Sequence, residues 1–198
     1  PWMPNRFHAK AIDETTRKYM GTLWNTYAFF ILYAEIDQFN PKEHPLDKAE
    51  LTLMDRWILS RLNSLVREVD DDLNEYKIFE ASRAMTDFVD DLSNWYVRRS
   101  RERFWGKGMA GDKEAAFATL YHVLETMSRL TAPFTPFMAE NMYRNLVCSV
   151  DKDAPISVHM TDFPVCDETY INAELEGHMR DLLEVVVLGR SCRSESGL

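Results

Sequence analysis

The chain has 198 residues, 45% of them hydrophobic and 28% charged, an ordinary composition for a folded domain and enough for one large core or two small ones. Its formal net charge of −9 argues against a uniformly basic nucleic-acid binder, because phosphate recognition normally appears as a basic surface. Cys148, Cys166 and Cys192 are spaced for neither a disulfide framework nor a CxxC metal knuckle, no run of 18 apolar residues occurs, and the first twenty residues lack a signal-type pattern. A cytoplasmic protein with reduced thiols, neither secreted nor membrane-spanning, is expected.

Apolar residues recurring at three- and four-residue steps (Leu23, Trp24, Tyr27, Phe30, Ile31, Ala34) predict a first helix over residues 12–36. Pro41 and Pro45 break it. Thr52 with Asp55 three residues on resembles a capping box, opening a second helix with Trp57, Ile58, Leu62, Leu65, Val66, Val69 and Leu73 on one stripe. An acidic turn is expected at 70–75, then a third and longest helix carrying Met85, Phe88, Val89, Leu92, Trp95 and Tyr96. GKGMAG at 106–111 is a flexible connector, with Asp112 the expected cap of a fourth helix through Phe117, Leu120, Leu124, Met127 and Leu130. Thr135 and Pro136 give a cap and a first-turn proline to a fifth helix over 137–147. Ile156, Val158 and Met160 alternate as a short strand or extended crossing would, and a last helix is expected over 168–188, ending at Gly189. Successive amphipathic helices with mostly short connections can bury their apolar faces only on one another, so the predicted fold is all-α, an antiparallel helical bundle.

No catalytic constellation emerges. The five histidines are isolated, no GxxxxGK[ST] or GxGxxG is present, and Asp70, Asp71 and Asp72 point in different directions from a helix end. The segment SNWYVRRSRERFW at 93–105 is different. Residues 70–91 hold eight acids against Lys77 and Arg83, whereas Arg98, Arg99, Arg101, Arg103 and Lys107 face only Glu102 just beyond. On a helix Arg98, Arg101 or Glu102, and Trp105 share one face, and Trp95, Arg99 and Arg103 share its neighbour. Arginine forks suit phosphate oxygens and base edges, and an exposed indole offers a stacking surface for an unpaired base. The same composition also fits core aromatics whose arginines answer the acidic stretch. Composition alone leaves both open.

Four stretches, TLWNTYAFFILYAEID (22–37), DRWILSRLNSLV (55–66), DLSNWYVRRSRERFW (91–105) and LYHVLETMSRLTAPFTPFMAENMYRNL (120–146), resemble the anticodon-binding helical domain of class I aminoacyl-tRNA synthetases, the isoleucyl branch most closely. SVHMTDFP (157–164) and LGRSCR (188–193) are supporting echoes. The resemblance implies a fragment. It places the anticodon-binding bundle at 1–148 and a crossing segment with the start of a small C-terminal region at 149–198. It implies isoleucine tRNA as partner, through its anticodon stem-loop, together with the catalytic and C-terminal domains of a parent ATP-dependent isoleucine-tRNA ligase. HIGH-type and KMSKS-type signatures are missing from the sequence, so no cofactor is expected here, ATP and zinc belonging to the parent, and no turnover is expected of the chain alone. Carried over residue by residue, the resemblance implicates Asn94, Trp95, Arg98, Arg99, Arg101, Arg103 and Trp105, with Asn25 on the first helix, and puts Trp95 first as the base-stacking aromatic. The competing class is a structural or protein-interaction bundle whose basic segment docks an acidic partner.

Overall fold

A computed structural model describes residues 8–109 and 111–197. Residues 1–7, part of the stretch without a signal pattern, and Ala110 of the connector lie outside them. Six helices form among the described residues, with no strand. Helix α1 joins Ala9–Thr15, a π-helical turn Thr16–Gly21 and Thr22–Asp37. Helix α2 is Leu53–Asn74. Helix α3 joins Ile78–Asp90, a π-helical segment Asp91–Val97 and Arg98–Trp105. Helix α4 is Asp112–Leu130, α5 joins Pro136–Tyr143 and a π-helical Arg144–Cys148, and α6 is Ala173–Glu195.

Cross-helix contacts fix the topology. The Tyr19 hydroxyl near the start of α1 donates to Thr131 just beyond α4 at 2.8 Å and lies against Met85 early in α3. At the opposite end the last turns of α1 meet the end of α3, where Phe29 packs edge-on against Phe104 with ring centres 5.2 Å apart. Tyr96, late in α3, reaches Asp55 at the start of α2. Thus α1 and α3 run one way and α2 and α4 the other, the up-down-up-down order that short connections favour. Helix α5 lies along α1 through Asn145 and the Tyr27 hydroxyl, and α6 crosses α2 through Glu176, which accepts from Ser64 at 2.8 Å. Trp57, Phe88, Tyr96, Phe104 and Phe117 are fully buried at the centre. Each such aromatic removes about 1.5–3 kcal/mol worth of apolar surface from water.

Several local expectations change. The acidic residues 70–72 lie within α2, which runs on to Asn74, and the turn is carried by Glu75–Tyr76–Lys77. Its geometry is a Schellman closure: the Lys77 amide donates to Asp72 O at 2.7 Å and the Tyr76 amide to Leu73 O, with Tyr76 at φ 60° where glycine is usual. Asp112 does not cap α4. Gly111 precedes the helix without a side-chain cap, and the Asp112 carboxylate turns to Arg103. Pro136 does open α5, but the Thr135 hydroxyl bonds to the Thr131 hydroxyl rather than to an α5 amide. Residues 156–160 form no strand. Val158–Met160 is a 3₁₀ turn in which Val158 alone is buried, because the Glu140 carboxylate takes the Val158 amide and leaves no ladder partner. Helix α6 starts later and ends later than expected, with Asn172 capping the Leu175 amide and the helix passing through Gly189.

One buried ion pair sets the end of the bundle at which α3 stops. The expected capping box is present: Asp55 accepts from the Thr52 amide at 2.9 Å, and the Thr52 hydroxyl oxygen accepts from the Asp55 amide at 3.4 Å. The Asp55 carboxylate, with 0% exposure, also takes Arg103 Nη1 and Nη2 at 2.8 and 2.7 Å and the Tyr96 hydroxyl at 2.7 Å. Burial alone pushes its pKa up. Hydrogen bonds from Arg103, Tyr96 and Thr52 and the guanidinium charge outweigh it and hold the carboxyl below its ordinary range. A folded pKa below the unfolded one means stability that is present above the ordinary carboxylate pKa and lost as pH falls through the lowered value. Asp55→Ala should therefore cost about 3–5 kcal/mol in urea unfolding at neutral pH, because Arg103 is left buried with only the exposed Asp112 carboxylate opposite it. The variant should also lose stability less steeply than the parent as the pH falls below about 4.

Candidate nucleic-acid interface

Helix α3 carries the candidate residues, and its π-helical segment decides which of them face outward. A regular helix continuing the buried stripe of Met85, Val89, Leu92 and Tyr96 would turn positions 99 and 103 toward the core. The π turn at Asp91–Val97 inserts an extra residue into the helical repeat. The stripe moves on by one, and Val97, Ser100 and Phe104 are buried instead. Arg98, Arg99, Arg101 and Trp105 consequently lie exposed.

Arg98, Arg101 and Trp105 form one outward line at three- and four-residue steps, with Asn94 a turn before them. Among the described residues Arg98, Arg99 and Arg101 form no ion pair. The acidic stretch at 70–91 is thus not their counterion; its Asp91 instead takes Arg61 at 3.3 Å. Asn94 is exposed and donates through Nδ2 to Asp90 Oδ1 at 2.6 Å. Trp105 is 56% exposed, yet its indole N–H donates to the Tyr33 hydroxyl on α1 at 2.8 Å. Asn25 is exposed and shares with Phe29 and Tyr33 a line of four-residue steps along the side of α1 that meets α3. Eight residues before Tyr33, it lies about 12 Å from it along the helix axis.

Three candidates on α3 lie off this line, Trp95, Arg99 and Arg103. Trp95 is half-buried, packed against the main core, and its ring lies beneath two guanidinium groups: Arg99, 5.9 Å from the ring centre, and Arg190 of α6 at 5.5 Å. Cations over an indole face are held by its quadrupole, so an incoming base would have to displace them. Arg103 points inward. Its donors go to Asp55 Oδ1 and Oδ2, Asp112 Oδ1, the Asp112 carbonyl and Ser100 Oγ. All five guanidinium N–H groups are engaged within the fold, which raises its pKa despite burial.

Sequence reasoning did not single out three residues of this region. Tyr33 anchors Trp105, Arg190 covers Trp95, and Lys113 ties Gly106 to Asp37. Tyr33 lay in the first helical pattern without a sign of its role, and the other two depend on contacts between distant helices. Among the described residues no three His, Cys, Asp or Glu side chains converge in a cluster able to hold a metal, and no helix is long and apolar enough to cross a membrane.

A helical bundle with an outward line of arginines that form no ion pair among the described residues, an amide and an anchored indole at one end of α3 defines a candidate RNA-recognition domain. Residues 55–198 match the family described as the anticodon-binding domain of tRNA ligase, and the chain belongs to that family. Across all 198 residues it is 50% identical to the isoleucine–tRNA ligases of Clostridium novyi and Dehalococcoides mccartyi, and it is 49% identical over 98% of its length to that of Clostridium tetani. The chain spans about 19% of the length of each of these relatives.

Arg190→Ala should leave folding stability within about 0.5 kcal/mol, since the residue is exposed and apart from the core. It should also uncover the Trp95 ring, seen as a larger fraction of tryptophan fluorescence open to acrylamide quenching. Unchanged quenching would show that Arg190 does not shield the indole.

Proposed function

We propose that this chain recognises the anticodon arm of isoleucine tRNA as a module of an ATP-dependent isoleucine–tRNA ligase of the cytoplasm. Residues 1–148 act as the binding bundle, and 149–198 form a crossing segment and the beginning of a C-terminal region. The observation that carries the reading is the exposed line Asn94, Arg98, Arg101 and Trp105, whose arginines form no ion pair among the described residues although acidic residues abound. In this reading Arg98 and Arg101 hold loop phosphates, Trp105 takes a splayed base on its open face, and Asn94 and Asn25 contact polar edges. Arg99 and Trp95 form a second position that opens when Arg190 moves aside. Arg103 shapes the line from within. Activation of isoleucine with ATP, and any zinc, belong to other parts of the parent ligase, as do the domains with which this one works.

A domain of net charge −9 offers only a local basic patch, so binding should be weak and sensitive to salt. Replacing Arg98 and Arg101 together by alanine should weaken isoleucine tRNA binding roughly ten- to hundredfold. It should also flatten the plot of log affinity against log salt by about 1 to 2, as expected for the loss of two phosphate contacts. An isothermal titration at several salt concentrations measures both, and an unchanged slope would place the interface elsewhere.

A further inference from the structure

The turn that follows Trp105 is held by an interaction that the stability of its own helix does not explain. Lys113 lies in the first turn of α4, where a positive charge opposes the helix dipole, and its side chain is only 6% exposed. Placing an ammonium there is costly unless partners compensate. Its Nζ donates to the Gly106 carbonyl at 2.7 Å and pairs with Asp37 Oδ2 at 2.6 Å, and it lies 5.7 Å from the centre of the Phe117 ring. Gly106 is the residue at which α3 leaves the helical conformation, directly after Trp105. Asp37 ends α1, one turn beyond Tyr33, which holds the Trp105 indole. Trp105 is therefore fixed twice from the same helix. Tyr33 holds the side chain, and Asp37, through Lys113 and Gly106, holds the main chain beside it.

We infer that Lys113 is a positioning residue that fixes Trp105 as a preorganised, solvent-facing platform for an unpaired RNA base. This rests on the reading of α3 as an RNA interface. An exposed indole free to rotate gives up rotamer freedom when a base stacks on it, whereas one already held gives up little. Lys113 itself is buried beneath the turn and acts only through the position of Trp105.

The test is a double-mutant cycle on the full chain with Lys113→Met and Trp105→Ala. The probe is a fluorescently labelled stem-loop RNA carrying the isoleucine anticodon. A parallel ¹⁹F spectrum of 5-fluorotryptophan protein has the Trp105 signal assigned by Trp105→Phe. Trp105→Ala should weaken binding tenfold or more, in the range of about 1–3 kcal/mol for one stacked base. Lys113→Met should weaken it about fivefold in the parent and not at all once Trp105 is gone. It should also shift and narrow the Trp105 signal of the free protein. An equal loss from Lys113→Met in both backgrounds, or an unmoved signal, overturns the inference and leaves the lysine a purely structural role. If Trp105→Ala leaves RNA affinity unchanged, the RNA reading of this residue fails. The spectrum then decides separately whether Lys113 holds the indole. If Lys113→Met does not fold, Asp37→Asn breaks the same bridge from its other end and takes its place in the cycle with the same criteria.

Discussion

The buried pair between Asp55 and Arg103 is the constraint on which the rest of this molecule depends. A carboxylate with no exposed surface must find donors for both oxygens, and it finds them on its own helix cap, on Tyr96 and on the guanidinium of Arg103. Arg103 reaches Asp112 at the same time, so the starts of α2 and α4 and the end of α3 meet at one point. Such a pair is a poor source of net stability, because desolvating both charges offsets much of their attraction. Its effect here is to specify register. A slip or rotation of α3 would leave a buried charge unpaired, which disfavours other registers. Phe104 then packs on Phe29 and Phe117, and the neighbouring side chains Arg98, Arg101 and Trp105 are directed outward.

The π-helical segment before this point works with the ion pair. An extra residue in a helical turn carries a local cost, and the fold meets it where the candidate interface begins. Without it Arg99 would fall on the buried stripe in place of Ser100. The arginine-rich segment thus divides three ways: a pair facing solvent with no ion pair among the described residues, Arg99 lying on an indole, and Arg103 committed to the core. These fates come from one run of sequence in which the arginines look alike.

That division marks how far the sequence could be read. The six helices and the Thr52–Asp55 capping box were legible because apolar spacing and cap chemistry are local. The cap said nothing of the second task of Asp55, since its partners Tyr96 and Arg103 lie more than forty positions away. The two faces assigned to 93–105 on ideal geometry kept Arg98, Arg101 and Trp105 together, because those three lie within the regular part of α3. The other face separated: Trp95 sits in the π turn under cations, and Arg103 points inward. No local pattern distinguishes a π turn from an α turn in DLSNWYV. Alternation at Ile156, Val158 and Met160 suggested an extended segment, but a strand needs a neighbour, and the Glu140 carboxylate occupies the amide that a ladder would use. Proximity in sequence left open whether the acidic block answers these arginines, and contacts between distant helices decide it. The block's Asp91 pairs instead with Arg61 of α2, and the carboxylates that engage Arg103 come from the starts of α2 and α4.

The central claim is that the outward face of α3 distinguishes an RNA by its anticodon rather than attracting any polyanion. It is tested most directly by competing two tRNAs for this chain at one salt concentration, an isoleucine tRNA and the same molecule with only its anticodon bases changed. Anticodon recognition predicts that the altered tRNA competes less well by about tenfold or more, because the phosphates are identical and only base contacts differ. Equal competition would contradict the claim and favour a bundle whose basic patch docks an acidic partner without reading bases.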